Sequence, residues 1–236
     1  MYLILPDVGE PPYPVFYLLH GLSDDYSMWL RRTRIEWYVR DLPLIVAMPD
    51  GFRSWYTRHD TGVDFANYVA RETVDYVDGF FPTRKSRDGR AIGGLSMGGY
   101  GALRLALGYA DRFISASSHS GALIPWNRTP PILDPRQFAN IFGEAPEGSD
   151  HDLMTLAKHA RSKGQVPHIR MDCGVSDAPW IGNNRTVHQK LESLDIPHEY
   201  SEYEGGHDWD YWDLRIQEAL TFHAKHLKVD PLPPVA

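Results

Sequence analysis

The chain contains one cysteine, Cys173, among its 236 residues. A single thiol excludes an intrachain disulfide, a cysteine-rich zinc site and a CxxC redox pair, so we expect Cys173 to be a small buried core residue. No block of lysine and arginine stands out, and the formal net charge is -7. This charge balance argues against a nucleic-acid or membrane-surface partner and favours a small-molecule substrate.

Long hydrophobic runs are also missing. No stretch approaches the roughly 18 continuous apolar residues that a membrane-spanning helix needs. The N-terminal segment MYLILPDVGEPPYP lacks the basic start and the apolar region of a secretory signal, so a cytoplasmic location is expected.

A hydrophobic fraction of 42% can bury one core, which predicts a single domain over residues 1–236. Association into homo-oligomers is left open.

Short apolar runs rich in β-branched and aromatic residues alternate with longer stretches that have helical spacing. This alternation is typical of a mostly parallel sheet with helices on both faces, so the sequence predicts an α/β fold. The predicted strands are Val15–Leu19, Leu44–Met48, Ala91–Leu95, Ile114–Ser118, Ile169–Cys173 and Glu199–Tyr203.

Two segments outside the strands have patterns of their own. Over Asp64–Phe80, apolar residues recur at steps of three and four, which predicts an amphipathic helix that ends before Pro82. Proline and glycine cluster in an excursion at residues 121–148, which we expect to form a small lid or pocket wall. The chain offers little other material for a deep acyl tunnel, so short acyl groups are expected.

The pentapeptide Gly94-Leu95-Ser96-Met97-Gly98 has the pattern G-x-S-x-G between a predicted strand and a helix-like stretch. The pattern alone is weak, because glycine and serine are common in turns. In this context it matches a nucleophile elbow, in which the serine occupies a strained strand-to-helix corner and the neighbouring glycines let the backbone pass. Ser96 is therefore the predicted nucleophile.

A serine hydroxyl needs a base to accept its proton and a carboxylate to orient that base. In a hydrolase with this elbow the chain order is serine, acid, histidine, with the acid after a later strand and the histidine in a loop near the C-terminus. Asp177 and His207 fit that order. Asp172 is the nearest alternative acid, although it lies inside a predicted strand, and Asp195 lies in a helix-to-strand loop.

Acyl transfer also needs hydrogen-bond donors for the negative charge that develops on the substrate carbonyl. Two backbone amides are predicted to supply them. One is that of Met97, immediately after the nucleophile, and the other is that of Leu22, in the turn after the first predicted strand. The same turn can also cap a helix through Ser23 or Asp24.

Aromatic residues near these motifs are candidates to line a substrate pocket, because ligand sites are mostly apolar. A buried tryptophan is more often a core residue. The mechanism implies no metal and no organic cofactor. The candidates for substrate contact are Trp55, Tyr56, Trp126, Trp180 and Trp209.

Several longer segments resemble the esterase D family of α/β-hydrolases: LLHGLSDDYSMWL, DGFRSWYT, GGLSMGGYGALRLAL, SGAL, CGVSDAPW and GGHDWDYW. That family includes S-formylglutathione hydrolases, tributyrin esterases, feruloyl esterases and mycolyltransferases, and its compact small-acyl esterases are the most similar. The resemblance begins at about Tyr2 and covers nearly the whole chain. It implies a triad of Ser96, Asp177 and His207, with Leu22 and Met97 as oxyanion amides.

The resemblance implies a serine carboxylesterase that hydrolyses short-chain acyl esters through an acyl-enzyme. Two alternatives use the same site: acyl transfer to an alcohol, and hydrolysis of a thioester or feruloyl ester. A third alternative is a binding protein on a hydrolase scaffold, which the intact triad argues against. Family members usually carry further strands before the point that corresponds to Tyr2, so we expect a reduced first edge of the sheet or a truncated start.

Overall fold

The computed structural model describes residues 1–124 and 133–231 of the chain. Within these residues the strands form one seven-stranded sheet. The strands are β1 (Tyr2–Ile4), β2 (Val15–Leu19), β3 (Ile45–Met48), β4 (Arg90–Leu95), β5 (Ser115–His119), β6 (His168–Gly174) and β7 (Glu199–Tyr203). Their order across the sheet is β1-β3-β2-β4-β5-β6-β7. β1 is antiparallel to β3, and the other neighbouring strands are parallel.

Helices occupy most of the intervals between strands. They are α1 (Met28–Arg32), α2 (Ile35–Val39), α3 (Phe65–Asn67), α4 (Val74–Phe80), α5 (Met97–Gly108), α6 (Pro135–Phe142), α7 (Leu153–Ser162), α8 (Ile181–Ser193) and α9 (Trp209–Leu227). No helix in the two described ranges reaches the length and apolarity of a membrane span. The excursion at residues 121–148 contains α6, and its residues 125–132 lie outside the described part of the chain.

The predicted amphipathic helix at Asp64–Phe80 is present as joined helical segments. A π-helical segment, Tyr68–Thr73, connects α3 to α4, so the helical backbone is continuous over residues 65–80. Asp64 caps its start, because the carboxylate accepts a hydrogen bond from the Asn67 N–H at 2.9 Å. Val69, Val74 and Val77 are buried in the core, as the spacing predicts, whereas Phe80 at the end of the helix is exposed.

Side chains of the central strand β2 alternate between two hydrophobic layers. Tyr17 lies in the layer that contains α5, whereas Phe16 and Leu18 lie in the layer that contains α9. This alternation follows from the pleat of a strand. Every residue of β2 and β4 is buried. Helices therefore cover both faces of the sheet, which confirms the predicted α/β fold and explains the continuous apolar runs of these strands.

The observed strand bounds lie within one residue of the predicted ones. β5 begins and ends one residue later than predicted, because His119 pairs with Leu95 in the parallel register. The sequence pattern does not predict β1, which has three residues and pairs only with β3 at the edge of the sheet. The first edge of the sheet is thus a short antiparallel strand.

Gly93 in β4 is closely packed, because an added Cβ would overlap the Ser117 Oγ and the Phe16 ring. Gly93→Ala should lower the free energy of unfolding by about 1–3 kcal/mol, because overpacking displaces neighbouring side chains. Gly79→Ala is the matched control: nothing lies within 4 Å of its added Cβ. It should be neutral or stabilise by up to about 1 kcal/mol. Urea-induced unfolding measures both, and equal stability of the two variants would contradict this packing.

Candidate active site

Ser96 lies at the corner where β4 ends and α5 begins. Its backbone has φ 52° and ψ -118°, a conformation that is strained for a residue with a Cβ. Two backbone hydrogen bonds hold the corner: the Ser96 N–H donates to the His119 carbonyl at 3.0 Å, and the Ser96 carbonyl accepts from the Ala122 N–H at 2.9 Å. The structure thus places Ser96 at the predicted strand-to-helix corner.

Two glycines make this corner sterically feasible. A Cβ on Gly94 would lie 2.6 Å from the carbonyl oxygen of Gly98, and a Cβ on Gly98 would lie 2.6 Å from the carbonyl oxygens of Leu19 and His20. These are clashes with backbone, which cannot move aside as a flexible side chain can. The first turn of α5 therefore packs directly on the end of β2, and the turn after β2 lies beside Ser96.

The structure brings the three predicted catalytic side chains together. The His207 Nε2 lies 3.0 Å from the Ser96 Oγ, and the His207 Nδ1 lies 2.8 Å from the Asp177 Oδ2. Asp177 is fully buried, whereas the His207 side chain is 28% exposed. A carboxylate at Nδ1 keeps the proton on that nitrogen, which leaves Nε2 free to accept the proton of the Ser96 hydroxyl.

Asp177 is fixed by the turn that follows β6. Its N–H donates to the Gly174 carbonyl at 3.0 Å, and its carbonyl accepts from the Ile181 N–H at 2.9 Å, where α8 begins. The Cys173 Sγ lies 3.7 Å from the Asp177 Oδ2. Burial raises the pKa of the Cys173 thiol, so the thiol stays protonated and donates to this carboxylate. Cys173 is the buried core residue that the sequence predicts.

His207 lies in the loop between β7 and α9, which is joined to the turn of the acid. The Ser176 N–H donates to the Gly205 carbonyl at 3.0 Å, so the two loops are held side by side. The Trp212 ring meets the His207 imidazole edge to face, with centroids 4.9 Å apart, and the Trp180 ring lies 6.4 Å away. Sequence reasoning missed Trp212, although its spacing from Trp209 on α9 places it on the same helix face.

The two alternative acids lie elsewhere. Asp172 is fully buried in β6, where its Oδ1 accepts a hydrogen bond from the Tyr211 hydroxyl at 2.9 Å. Its Oδ2 lies 2.8 Å from the His119 Nδ1. Asp195 is exposed and pairs with Arg161. Asp177 is therefore the acid of the three that contacts His207.

The predicted oxyanion amides lie at the same end of the sheet as Ser96. Met97 is the first residue of α5, so its N–H has no acceptor within the helix. Leu22 follows β2 in a turn where the Asp24 Oδ2 accepts a hydrogen bond from the Gly21 N–H at 3.2 Å. Asp24 thus closes its own turn and does not cap α1, which begins only at Met28.

Trp55 and Tyr56, two predicted substrate contacts, are core residues in the structure. Both have 0% exposure. The Trp55 ring packs against Tyr100 and Phe142, with centroids 5.8 and 5.5 Å apart. Side chains that are fully enclosed have no surface to offer a ligand, so their burial argues against the predicted substrate contact.

The remaining predicted contacts differ in position. Trp180 is buried at 2% exposure beside His207, and Trp209 is partly exposed and packs against Trp29 with centroids 5.4 Å apart. Trp126 lies outside the described residues. Among the residues that the structure does describe, no group of three or more histidine, cysteine, aspartate or glutamate side chains is arranged to hold a metal ion.

Known proteins are similar to this chain in sequence and in fold. The family model described as "Putative esterase" matches residues 1–223. The acetyl esterase of Caldicellulosiruptor saccharolyticus is 34% identical over 230 residues, which cover 93% of this chain and 86% of that protein. A solved structure of FphF, a fluorophosphonate-binding serine hydrolase of Staphylococcus aureus with substrate bound, is also similar. It superposes with a TM-score of 0.85 at 31% identity, and the match covers 94% of this chain and 90% of the FphF chain.

A second solved structure from Staphylococcus aureus, the S-formylglutathione hydrolase FrmB without ligand, gives a TM-score of 0.83 at 31% identity. It covers 94% of this chain and 91% of its own. These matches extend over nearly the whole chain, and they confirm the family resemblance drawn from the sequence motifs. The chain therefore belongs to this esterase family and is a serine hydrolase of the α/β-hydrolase fold that acts on ester bonds.

Proposed function

We propose that the protein is a carboxylesterase for short-chain acyl esters, with Ser96 as nucleophile, His207 as general base and Asp177 as the acid that orients the base. The observation that carries this proposal is the continuous path from the Asp177 Oδ2 through the His207 ring to the Ser96 Oγ, with separations of 2.8 and 3.0 Å. Both contacts lie within hydrogen-bond distance, and the contact from the His207 Nε2 to the Ser96 Oγ is the one across which the proton moves.

In the first half of the reaction, the Ser96 Oγ attacks the ester carbonyl carbon while the His207 Nε2 takes the hydroxyl proton. The carbonyl oxygen becomes an oxyanion, which accepts hydrogen bonds from the N–H groups of Leu22 and Met97. The ester C–O bond then breaks, and the His207 imidazolium gives its proton to the leaving alcohol. The product is an acyl group on Ser96.

In the second half, a water molecule replaces the alcohol. His207 takes a proton from the water as its oxygen attacks the acyl carbon, and the same oxyanion donors stabilise the second tetrahedral intermediate. Collapse breaks the bond to the Ser96 Oγ, which recovers its proton from His207. Thioester hydrolysis is a second candidate, because FrmB, which is named an S-formylglutathione hydrolase, has the same 31% identity to this chain as FphF.

A short acyl group is supported by two observations. The relative that is 34% identical is named an acetyl esterase. In addition, the rings of Trp55, Tyr100 and Phe142 pack against one another at the first turn of α5, so no acyl chain can pass between them.

Ser96→Ala should abolish hydrolysis of p-nitrophenyl acetate without loss of folding, because the change opens little core volume. His207→Ala should be nearly as damaging, since triad members act as a unit. Ser118→Ala is the matched control: this serine is fully buried in β5, and its hydroxyl has no partner among the described residues. Steady-state kinetics measure the hydrolysis rate of each variant, and circular dichroism measures its folding. Full activity in folded Ser96→Ala would disprove the nucleophile assignment.

Asp177→Asn keeps the shape of the side chain but removes the carboxylate that holds the Nδ1 proton of His207. The equivalent change in a serine protease lowers kcat about 10⁴-fold, and a steep fall is expected here. Asp172→Asn serves as control, because Asp172 is buried but does not contact His207. It should retain most activity and lower the melting temperature instead. The reverse pattern of kcat values would show that Asp172 is the acid.

The specificity constant for p-nitrophenyl esters should peak between acetate and butyrate and decline by octanoate. Each methylene that enters an apolar pocket gains about 0.8 kcal/mol, so a long tunnel would instead reward every added carbon. A shallow pocket cannot do so. The measurement is kcat/KM across the ester series at fixed detergent concentration. A preference for palmitate over butyrate would contradict the proposed substrate class.

A further inference from the structure

The peptide unit between His20 and Gly21 is held at both ends. The Tyr56 hydroxyl donates to the His20 carbonyl at 3.0 Å, and the Gly21 N–H donates to the Asp24 Oδ2 at 3.2 Å. Because both groups belong to one planar unit, these two bonds fix its rotation. Burial raises the pKa of Tyr56 well above its ordinary value, so the phenol keeps the proton that it donates.

The next peptide unit, between Gly21 and Leu22, is held through the imidazole of His20. The Gly21 carbonyl lies 2.8 Å from the His20 Nδ1, and a carbonyl can only accept, so Nδ1 carries a proton. The Gly51 N–H donates to the Nε2 at 2.9 Å, which makes that nitrogen the acceptor. The Asp50 Oδ1 lies 3.3 Å from the same nitrogen, which has no proton to donate to it. This carboxylate oxygen accepts the Phe52 N–H instead, at 2.9 Å.

These bonds determine where the Leu22 N–H points. In a trans peptide the carbonyl and the following N–H point in opposite directions. Since the Gly21 carbonyl is bound to the His20 ring, the Leu22 N–H is directed away from that ring. Gly98 packs directly on the His20 carbonyl, which places this turn against the first turn of α5 and beside Ser96.

The loop after β3 is shaped to supply these contacts. The Tyr56 ring fits between Gly51 and Gly101, and a Cβ added to either glycine would overlap the ring. Phe52, Trp55 and Tyr56 have φ values of 49°, 57° and 54°, which are uncommon for bulky aromatic residues. Strain of this kind is retained only where surrounding contacts over-determine the backbone.

We propose that Tyr56 and His20 are positioning residues that aim the Leu22 N–H at the substrate oxyanion. This inference rests on the proposed function, because it concerns the oxyanion hole of that same site. Tyr56, a predicted substrate contact, is thus assigned a different role: its ring fills a slot in the core, and its hydroxyl acts through the backbone of the turn after β2.

Tyr56→Phe tests the proposal, because it removes the hydroxyl and keeps the ring. It should lower kcat about tenfold and change KM by less than about twofold, since an oxyanion donor acts in the transition state. The affinity for a trifluoromethyl ketone, a transition-state analogue, should fall by the same factor as kcat/KM. Tyr17→Phe is the control: Tyr17 is equally buried, and its hydroxyl has no partner among the described residues. Tyr17→Phe should leave kcat and the affinity for the ketone unchanged.

A second pair of variants tests the imidazole of His20. In His20→Asn the side-chain amide can replace the Nδ1–H donor, whereas in His20→Leu no donor remains. His20→Asn should therefore retain more of the wild-type kcat than His20→Leu, and equal kcat values would mean that only packing matters at this position.

The outcomes separate this inference from the proposed function. Loss of hydrolysis in Ser96→Ala together with wild-type kcat in Tyr56→Phe overturns the positioning role and keeps the proposed function. If kcat falls equally in Tyr56→Phe and Tyr17→Phe, the positioning role is likewise overturned and the proposed function is kept. Full activity in Ser96→Ala overturns both. A fall in kcat confined to Tyr56→Phe, with weaker binding of the ketone, supports the positioning role.

Discussion

The left-handed backbone of Ser96 is the constraint on which the rest of the site depends. A residue with a Cβ does not adopt φ 52° unless its neighbours require it. Here the corner is held on both sides, because the Ser96 N–H donates to the His119 carbonyl and the Ser96 carbonyl accepts from the Ala122 N–H. The glycines on either side of Ser96 remove the steric conflict that any larger residue would create with the ends of β2 and α5.

The same corner explains why residues far apart in sequence meet at one point. In a parallel sheet the carboxyl ends of neighbouring strands lie along one edge, so the loops after β2, β3, β4, β6 and β7 all reach the same region. Ser96 follows β4, Asp177 follows β6 and His207 follows β7. The bond from the Ser176 N–H to the Gly205 carbonyl joins the last two loops. The reacting groups are thereby positioned by backbone as well as by side chains.

The sequence predicts the buried parts of this structure well and the buttressing contacts poorly. β2 and β4 are buried on both faces, so they appear as continuous apolar runs, whereas β1 has three residues at an edge and gives no such signal. Ser96, Asp177 and His207 follow from the motif and its chain order. The contact from Tyr56 to the His20 carbonyl does not, because composition cannot distinguish an aromatic ring that lines a pocket from one that supports a turn. The single domain, the cytoplasmic location and the oligomeric state stay predictions.

The central claim is that Ser96 is the nucleophile, and covalent trapping tests it most directly. The enzyme is treated with a fluorophosphonate, digested, and mapped by mass spectrometry, since this reagent reacts with a serine that a neighbouring base activates. One adduct is expected, on the peptide that contains Ser96, together with a parallel loss of ester hydrolysis. An adduct on a different residue, or an enzyme that hydrolyses esters and remains unlabelled, would contradict it.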